Sequence, residues 1–330
     1  MPRSEESGGA SEGSGAWPRA RLHVVTGKGG TGKTTVAGAL ALALAADGRR
    51  TLVVEVEGRQ GLAQLFDSPP LPYAERRIAV APGGGEVRAL AVDVEEALLD
   101  YLNMFYRLGT AGRALKKLGA IDFATTIAPG LRDVLLTGKV KEAVTRTADG
   151  HRVYDAVVLD APPTGRIARF LNVTAETAKL AKVGPIKTQS EGVTAVLRSP
   201  LTAVHVVTLL EEMPVQETAD AIAELTELKL PVGTVIVNGT QPALLGGKVT
   251  QAELRRGLSA AGLPSDRGTV AGLAAEATAY RARLALETRL REELLALDHP
   301  MLELPLLPDG VELSGLYGLS EEFRKQGVAW

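Results

Sequence analysis

The sequence predicts a doubly wound α/β fold whose sheet is mostly parallel, and three observations support this prediction. Short apolar runs recur along the chain with helical stretches between them. Several runs are apolar almost throughout, as in strands that helices cover on both faces. Strands separated by helices imply right-handed βαβ crossovers, which make successive strands parallel. The predicted strands are Arg21 to Thr26, Thr51 to Val56, Val87 to Val92, Val153 to Asp160, Ala203 to Leu209, Val232 to Val237 and Met301 to Leu304.

Residues 1–20 precede this alternation and are rich in Ser, Gly and Glu. We expect a disordered tail there, followed by a single domain over residues 21–330. The tail has no apolar core of the kind that an export signal needs. The longest apolar stretch, Val36 to Ala46, is much shorter than the about 20 residues of a membrane span. The sequence therefore predicts a cytoplasmic protein with no integral membrane segment.

Residues of about 94–148 are predicted to form a helical insertion at the edge of the sheet, since no strand pattern interrupts them. Asp93 is suited to cap the first helix of this insertion, from Val94 to Leu118. Apolar residues recur at helical spacing from Leu98 to Leu108. That stripe has two interpretations: packing against the body of the protein, or a docking face for a protein client.

The charge balance and the cysteine count exclude several classes of function. Lys and Arg number 37 against 39 Asp and Glu, for a formal net charge of −2, which argues against a protein held on nucleic acid by bulk electrostatics. The chain has no cysteine, so disulfides, thiolate catalysis and cysteine-ligated zinc or iron–sulfur centres are excluded. The four histidines are scattered singly, and no metal site of local spacing is predicted.

The motif with the clearest chemical meaning is Gly-Lys-Gly-Gly-Thr-Gly-Lys-Thr-Thr at residues 27–35. It matches the G-x-x-x-x-G-K-[ST] pattern of a phosphate-binding loop and lies between a predicted strand and a predicted helix. Glycines let backbone N–H groups approach phosphate oxygens, and the start of the helix adds its dipole. We expect Lys33 to reach the β- and γ-phosphates and the Thr34 hydroxyl to bind Mg²⁺. The loop residues predicted to contact a nucleotide are Gly29, Gly30, Thr31, Gly32, Lys33, Thr34 and Thr35.

Lys28 is a second lysine directly after the first glycine, which the general pattern does not require. With it the loop resembles the deviant form found in the SIMIBI class of dimeric P-loop ATPases, which includes ParA, MinD, the nitrogenase iron protein and the arsenical-pump ATPase. In that class the early lysine crosses the dimer interface to the partner's nucleotide. The resemblance therefore implies ATP with Mg²⁺ as ligands, a nucleotide-sandwich dimer and a catalytic role in trans for Lys28.

An apolar strand ends in Asp160, so the carboxylate of this residue is predicted to lie at the carboxyl edge of the sheet. A carboxylate at that position can hold Mg²⁺ through a water molecule. The run Asp-Ala-Pro-Pro-Thr-Gly-Arg that begins there resembles Asp-Thr-Ala-Pro-Thr-Gly-His, the switch II segment of the arsenical-pump and tail-anchored-protein-targeting ATPase family. Such a proline-stiffened loop can respond to a γ-phosphate. Its predicted switch residues are Pro162, Pro163, Thr164, Gly165 and Arg166, the last in place of the family's histidine.

The family also places Asp-Pro-Ala-His after the second strand, where the aspartate orients the attacking water. This chain has Val-Glu-Gly-Arg-Gln-Gly-Leu at residues 56–62, with Glu57 at the position of that aspartate. The resemblance implies a catalytic carboxylate at Glu57, although its extra methylene leaves the rate of hydrolysis open. A nucleotide-dependent interaction switch with little hydrolysis is therefore an alternative.

Two further segments are predicted to contact the base. Asn238 ends a strand in an amide that can pair with a purine edge, and the following Gly-Thr-Gln lacks the aspartate of guanine-specific loops, which favours ATP over GTP. Near the C-terminus, Leu-Pro-Leu-Leu-Pro resembles the family's adenine-side loop. That resemblance implies base contacts from Pro305, Leu306 and Leu307.

The resemblance extends from about Leu22 to Phe323 and is nearest to the actinobacterial ArsA-like ATPases that occur as paired paralogues. The arsenite and zinc sites of the family use cysteine, so those roles do not carry over to a chain without cysteine. The hypothesis is a cytoplasmic Mg²⁺-dependent ATPase that acts as a homodimer, or as a heterodimer with a paralogous ATPase, and couples hydrolysis to binding or release of a client. A ParA- or MinD-like positioning ATPase is a further alternative.

Overall fold

An eight-stranded sheet forms the centre of the fold in a computed structural model that describes residues 17–106, 129–173, 175, 184–244, 247, 249–307 and 310–329. The strands along the chain are β1 (Leu22–Gly27), β2 (Arg50–Glu55), β3 (Arg76–Val80), β4 (Glu86–Ala91), β5 (Thr147–Ala148), β6 (His151–Arg152), β7 (Ala156–Asp160), β8 (Thr202–Thr208), β9 (Val232–Thr240) and β10 (Met301–Pro305). The order across the large sheet is β10-β9-β8-β1-β7-β2-β4-β3, and β5 and β6 form a separate two-stranded hairpin. Within the large sheet, the strands pair in parallel except β3, which is antiparallel to β4.

Helices cover both faces of this sheet. They are α1 (Lys33–Leu44), α2 (Gly61–Leu65), α3 (Val94–Tyr106), α4 (Pro129–Thr145), α5 (Thr164–Leu171), α6 (Pro185–Leu197), α7 (Glu212–Glu227), α8 (Gln251–Ala260), α9 (Arg267–Leu295) and α10 (Leu313–Lys325). One apolar core joins the sheet to α1 and α10, and the other joins it to α3, α4, α6 and α7. Every residue of β1, β7 and β8 is buried as a result. The predicted doubly wound, mostly parallel α/β fold is therefore confirmed.

The sequence-based expectation misses three strands, β3, β5 and β6, and places the start of β7 too early. The edge strand β3 is not predicted, because it is mostly exposed and lacks the continuous apolar pattern of the buried strands. The strand predicted from Val153 begins at Ala156 instead, because the hairpin of β5 and β6 ends at Arg152 and residues 153–155 connect it to the sheet.

The described part of the helical insertion consists of α3 and α4. Asp93 caps α3 as predicted, since its carboxylate accepts a hydrogen bond of 2.9 Å from the backbone N–H of Glu96. Leu98 and Tyr101 are buried and belong to the core shared with the sheet. This part of the apolar stripe thus packs against the body, whereas the side chains of residues 104–108 lie outside the described residues.

The N-terminal end of the described chain packs on the sheet. Of the predicted tail over residues 1–20, residues 1–16 lie outside the described residues. Trp17 stacks on His205, with ring centroids 4.7 Å apart. His205 accepts a hydrogen bond from the backbone N–H of Thr234 through Nδ1, so its Nε2–H donates to Nδ1 of His23, 3.0 Å away. Burial lowers the pKa of His23 to about 4, and both imidazoles are neutral near pH 7.

The helices α8 and α9 include the most exposed part of the fold. No residue of α8 is buried, and a reciprocal pair of hydrogen bonds between Thr250 and Glu253 caps its first turn. None of the helices in the described ranges has the length and apolar character needed to cross a membrane.

Candidate functional site

The glycine-rich segment at residues 27–35 connects β1 to α1, and its glycines have two different roles. A Cβ at Gly27 would lie 2.2 Å from the carbonyl oxygen of Val207, and one at Gly32 would lie 2.4 Å from Nδ2 of Asn238. These two positions therefore require glycine for the packing of the protein itself. A Cβ at Gly29 or Gly30 would meet nothing within 4 Å, so the backbone at these two residues faces open space.

Lys33 begins α1 and lies at the inner end of this loop. Its Nζ donates to the backbone carbonyl of Lys28 across 3.3 Å. Burial lowers the pKa of Lys33, while the nearby Asp160 opposes that shift. A partly desolvated ammonium group gains from an anionic ligand, because the ligand replaces the hydration that burial removed.

Thr34 and Asp160 bring two kinds of oxygen together at the carboxyl ends of β1 and β7. The Thr34 hydroxyl donates to Oδ2 of Asp160 across 2.7 Å. Burial raises the pKa of Asp160 to about 6, and the hydrogen bond from Thr34 opposes this rise. A hydroxyl beside a carboxylate suits a hard cation such as Mg²⁺, which prefers oxygen ligands. A cavity of about 350 Å³ opens beside Thr34, Thr35 and Gly61.

Lys28 contacts Glu217, which is not among the predicted site residues. Its Nζ lies 2.6 Å from Oε1 of Glu217, which is in the second turn of α7. The hydroxyl of Thr164 donates to Oε2 of the same carboxylate across 3.1 Å. The hydrogen bond from Lys28 lowers the pKa of Glu217. One carboxylate thus connects the phosphate loop to the start of α5.

Glu57 and Arg166, predicted from separate segments, are brought together by the fold. Nη1 of Arg166 lies 3.4 Å from Oε1 of Glu57, and Nη2 of Arg59 lies 3.7 Å from its Oε2. The Glu57 side chain is 20% exposed, whereas those of Arg166 and Arg59 are 55% and 79% exposed. Both carboxylate oxygens of Glu57 therefore have a cationic partner within the chain.

The remaining switch residues lie between Asp160 and α5. Pro162 accepts a hydrogen bond of 2.7 Å from the hydroxyl of Thr26 through its backbone carbonyl. Pro163 precedes the first turn of α5, and a Cβ at Gly165 would meet nothing within 4 Å. The loop is thereby fixed to β1 at one end and to α5 at the other.

Asn238 connects the base-side residues to the phosphate loop. Its Nδ2 donates to the backbone carbonyl of Thr31 across 2.9 Å. Asn238 also lines a cavity of about 50 Å³ with Glu211, Arg283 and Glu287 among its other walls. Arg283 and Glu287 come from α9, and nothing in their local sequence distinguishes them from the other charged residues of that exposed helix.

The segment Pro305 to Leu307 lies next to the strand that carries Asn238. The backbone N–H of Leu306 donates to the carbonyl of Thr240 across 2.9 Å, and Pro305 is aligned with Thr240 in the pairing of β10 with β9. Leu306 is half exposed, and Leu307 packs against the core that contains α1. The fold thus brings all the predicted site segments to the carboxyl edge of one sheet.

Comparison with known proteins agrees with this arrangement. The family described as "Anion-transporting ATPase" matches residues 20–189. "ATPase BagA" of Mycobacterium tuberculosis is 55% identical over 99% of this chain and 100% of its own length. The "Arsenical pump-driving ATPase" of Acidiphilium multivorum is 26% identical over 66% of this chain and 39% of its own length. "ATPase GET3" of Kluyveromyces lactis is 25% identical over 65% of this chain and 70% of its own length. The chain therefore belongs to the anion-transporting ATPase family, which confirms the resemblance to ArsA- and GET3-like ATPases that its motifs predict.

Proposed function

We propose that this protein binds ATP with Mg²⁺, hydrolyses it to ADP and phosphate, and closes as a nucleotide-sandwich dimer in doing so. The observation that carries the proposal is the cluster of Lys33, Thr34 and Asp160 behind the open backbone of Gly29 and Gly30. A phosphate group in this loop meets backbone N–H groups, the start of α1 and a lysine whose ammonium group is partly desolvated.

The same cluster suits the metal that accompanies a nucleotide. Thr34 and Asp160 would hold Mg²⁺, which when bound neutralises charge on the phosphate oxygens. Asn238 donates to the backbone carbonyl of Thr31 through Nδ2, and its amide oxygen is the proposed contact to the base. The absence of a guanine-specific aspartate after Asn238 supports ATP as the nucleotide.

Glu57 is the proposed residue that orients the attacking water. Its carboxylate contacts Arg59 and Arg166 in the single chain, and a γ-phosphate would compete for both guanidinium groups. The Glu57 carboxylate would then leave the two arginines and orient the attacking water only when a nucleotide is bound. The same contacts favour a second candidate function, a nucleotide-dependent interaction switch with little hydrolysis, if the two arginines keep their hold on Glu57.

Dimer closure would use Lys28, which is proposed to reach the partner's nucleotide, as the family resemblance implies. The partner is either a second copy or a paralogous ATPase, and the helical insertion is the proposed site for a protein client. Switch II begins directly after Asp160, so a change at the γ-phosphate would be passed to α5 and the helices packed on it. The protein would act in the cytoplasm.

A binding experiment with a matched lysine control tests the proposal. Lys33→Ala should abolish binding of a fluorescent ATP analogue, whereas Lys187→Ala, on an exposed lysine of α6, should bind like the wild type. Steady-state phosphate release then separates the two candidate functions. An ATPase releases phosphate continuously, and a switch binds ATP with little release. Binding retained in the Lys33 variant would contradict the proposed site.

A further inference from the structure

Glu55 is a buried carboxylate at the end of β2 to which none of the motifs assigns a function. It is only 2% exposed, although charged residues are rarely so deeply buried without a partner. In the pairing of β2 with β7, its Cα is aligned with that of Asp160. Two carboxylates therefore end neighbouring parallel strands at the same level of the sheet.

Both side chains project to the face of the sheet that α1 covers. Val53 and Val158, two residues earlier in their strands, belong to the core that contains α1. Since side chains alternate along a strand, Glu55 and Asp160 lie on that same face. Thr34, in the first turn of α1, contacts Asp160 there. Glu55 thus faces the place where the phosphate loop passes into α1.

The two oxygens of Glu55 have different surroundings. Oε2 accepts a hydrogen bond of 3.2 Å from the backbone N–H of Leu62. Oε1 is buried, and no hydrogen-bond partner contacts it within the described residues. A buried carboxylate oxygen without a partner costs free energy, so such an atom commonly marks a place that a ligand completes. The contact with Leu62 explains one oxygen and leaves the other without a structural role.

From this geometry we infer that Glu55, beside Asp160, helps to hold the Mg²⁺ of the bound nucleotide. The inference rests on the proposed function and adds a second carboxylate to the residues that the motifs predict. Mg²⁺ is a hard cation that prefers oxygen ligands, and the free oxygen of Glu55 belongs to that class. Glu57, two residues later, differs from Glu55 because arginine side chains contact both of its oxygens.

The experiment measures how much Mg²⁺ strengthens nucleotide binding. The affinity for a fluorescent ADP analogue is determined in EDTA and again in excess Mg²⁺. The ratio of the affinity in Mg²⁺ to the affinity in EDTA is the gain due to the metal. Glu55→Gln, which keeps an acceptor for Leu62, should reduce this gain about tenfold, as loss of a carboxylate around a metal commonly does. In EDTA the variant should bind the analogue as tightly as the wild type or more tightly, because a negative charge near the phosphates is gone.

Glu86→Gln, which lies at the opposite end of the sheet from Glu55, is the control and should keep the full gain. Glu55→Asp keeps the charge but withdraws the carboxylate by one methylene, so its gain in affinity from Mg²⁺ should be intermediate. This variant provides the test if Glu55→Gln does not fold. If the folded Glu55 variants gain as much affinity from Mg²⁺ as the wild type does, the inference is wrong. It is also wrong if the affinity of the variants falls equally in EDTA and in Mg²⁺, because that result indicates a purely structural role. Failure of the wild type to bind the analogue at all would instead contradict the proposed function.

Discussion

Lys28 and Glu217 form an ion pair 2.6 Å long, although 189 positions separate them in the sequence. The second oxygen of Glu217 accepts a hydrogen bond from the hydroxyl of Thr164, the first residue of α5. The lysine proposed to act on a partner's nucleotide is therefore held within its own chain, by a carboxylate that also contacts the switch II segment. Dimer closure and rearrangement of switch II would both have to break contacts with Glu217.

Replacing Lys28 by Ala separates nucleotide binding from dimer-dependent hydrolysis. Lys33 and the backbone of the loop remain, so the affinity for ATP should stay near that of the wild type. Turnover should fall steeply, because the residue proposed to reach the partner's nucleotide is missing. Affinity for a fluorescent ATP analogue and steady-state phosphate release, measured over a range of protein concentrations, test this expectation. Normal turnover in the variant would rule out the role of Lys28 in trans.

Replacing Glu217 by Gln should make ATP-dependent dimerisation easier. The side chains of Lys28 and Glu217 are 29% and 34% exposed, so their ion pair contributes roughly 0.2–1 kcal/mol. Release of Lys28 should then lower the ATP concentration for half-maximal dimer formation by up to about fivefold. Light scattering during size-exclusion chromatography measures this. Glu212→Gln, on an exposed residue of the same helix, is the control. Loss of the dimer in the Glu217 variant would place Glu217 in the closed interface instead.

Replacing Asp160 by Asn should stabilise the nucleotide-free protein while removing Mg²⁺-dependent hydrolysis. The pKa of Asp160 rises from 3.8 to about 6 on folding, because burial disfavours the charged carboxylate. The unfolded chain therefore loses this proton at a lower pH, and stability falls as the pH rises from about 4 to about 6. At pH 8 the ionised group costs about 3 kcal/mol, which Asn avoids. Thermal unfolding at pH 8 should show a higher Tm for the variant, and the difference should disappear near pH 4. An unchanged Tm at pH 8 would contradict this interpretation of Asp160.

The sequence predicts the parts of the site that lie in contiguous motifs. The loop at residues 27–35, Asp160 and Asn238 all carry local signals, namely a glycine pattern or a polar residue that ends an apolar strand. The fold class follows from the same apolar runs, because strands buried on both faces have a strong local pattern. The edge strand β3 lacks that pattern, and the sequence therefore does not predict it.

Glu55 and Glu217 could not be assigned in the same way. Each is a single acidic residue whose meaning comes from partners in distant segments, Asp160 for one and Lys28 for the other. Strand register decides the first juxtaposition, and the packing of α7 beside the phosphate loop decides the second, so neither is encoded in local spacing. A charged residue in the otherwise apolar run Thr-Leu-Val-Val-Glu is the only local signal for Glu55.

The buried pair of His23 and His205 predicts a loss of stability in mild acid. Burial lowers the pKa of His23 from 6.5 to about 4, so the unfolded chain binds a proton that the folded chain does not. Stability should therefore fall as the pH decreases from about 6.5 to about 4, by about 3 kcal/mol for His23. The pH dependence of stability due to His23 is opposite to that due to Asp160. The contribution of each residue is therefore obtained by subtracting the pH dependence of its variant from that of the wild type. Urea unfolding at several pH values should give a shallower decline for His23→Gln, and the same decline as the wild type for His151→Gln, on an exposed residue of β6. Parallel curves for wild type and His23→Gln would show that His23 titrates alike in the folded and unfolded chains.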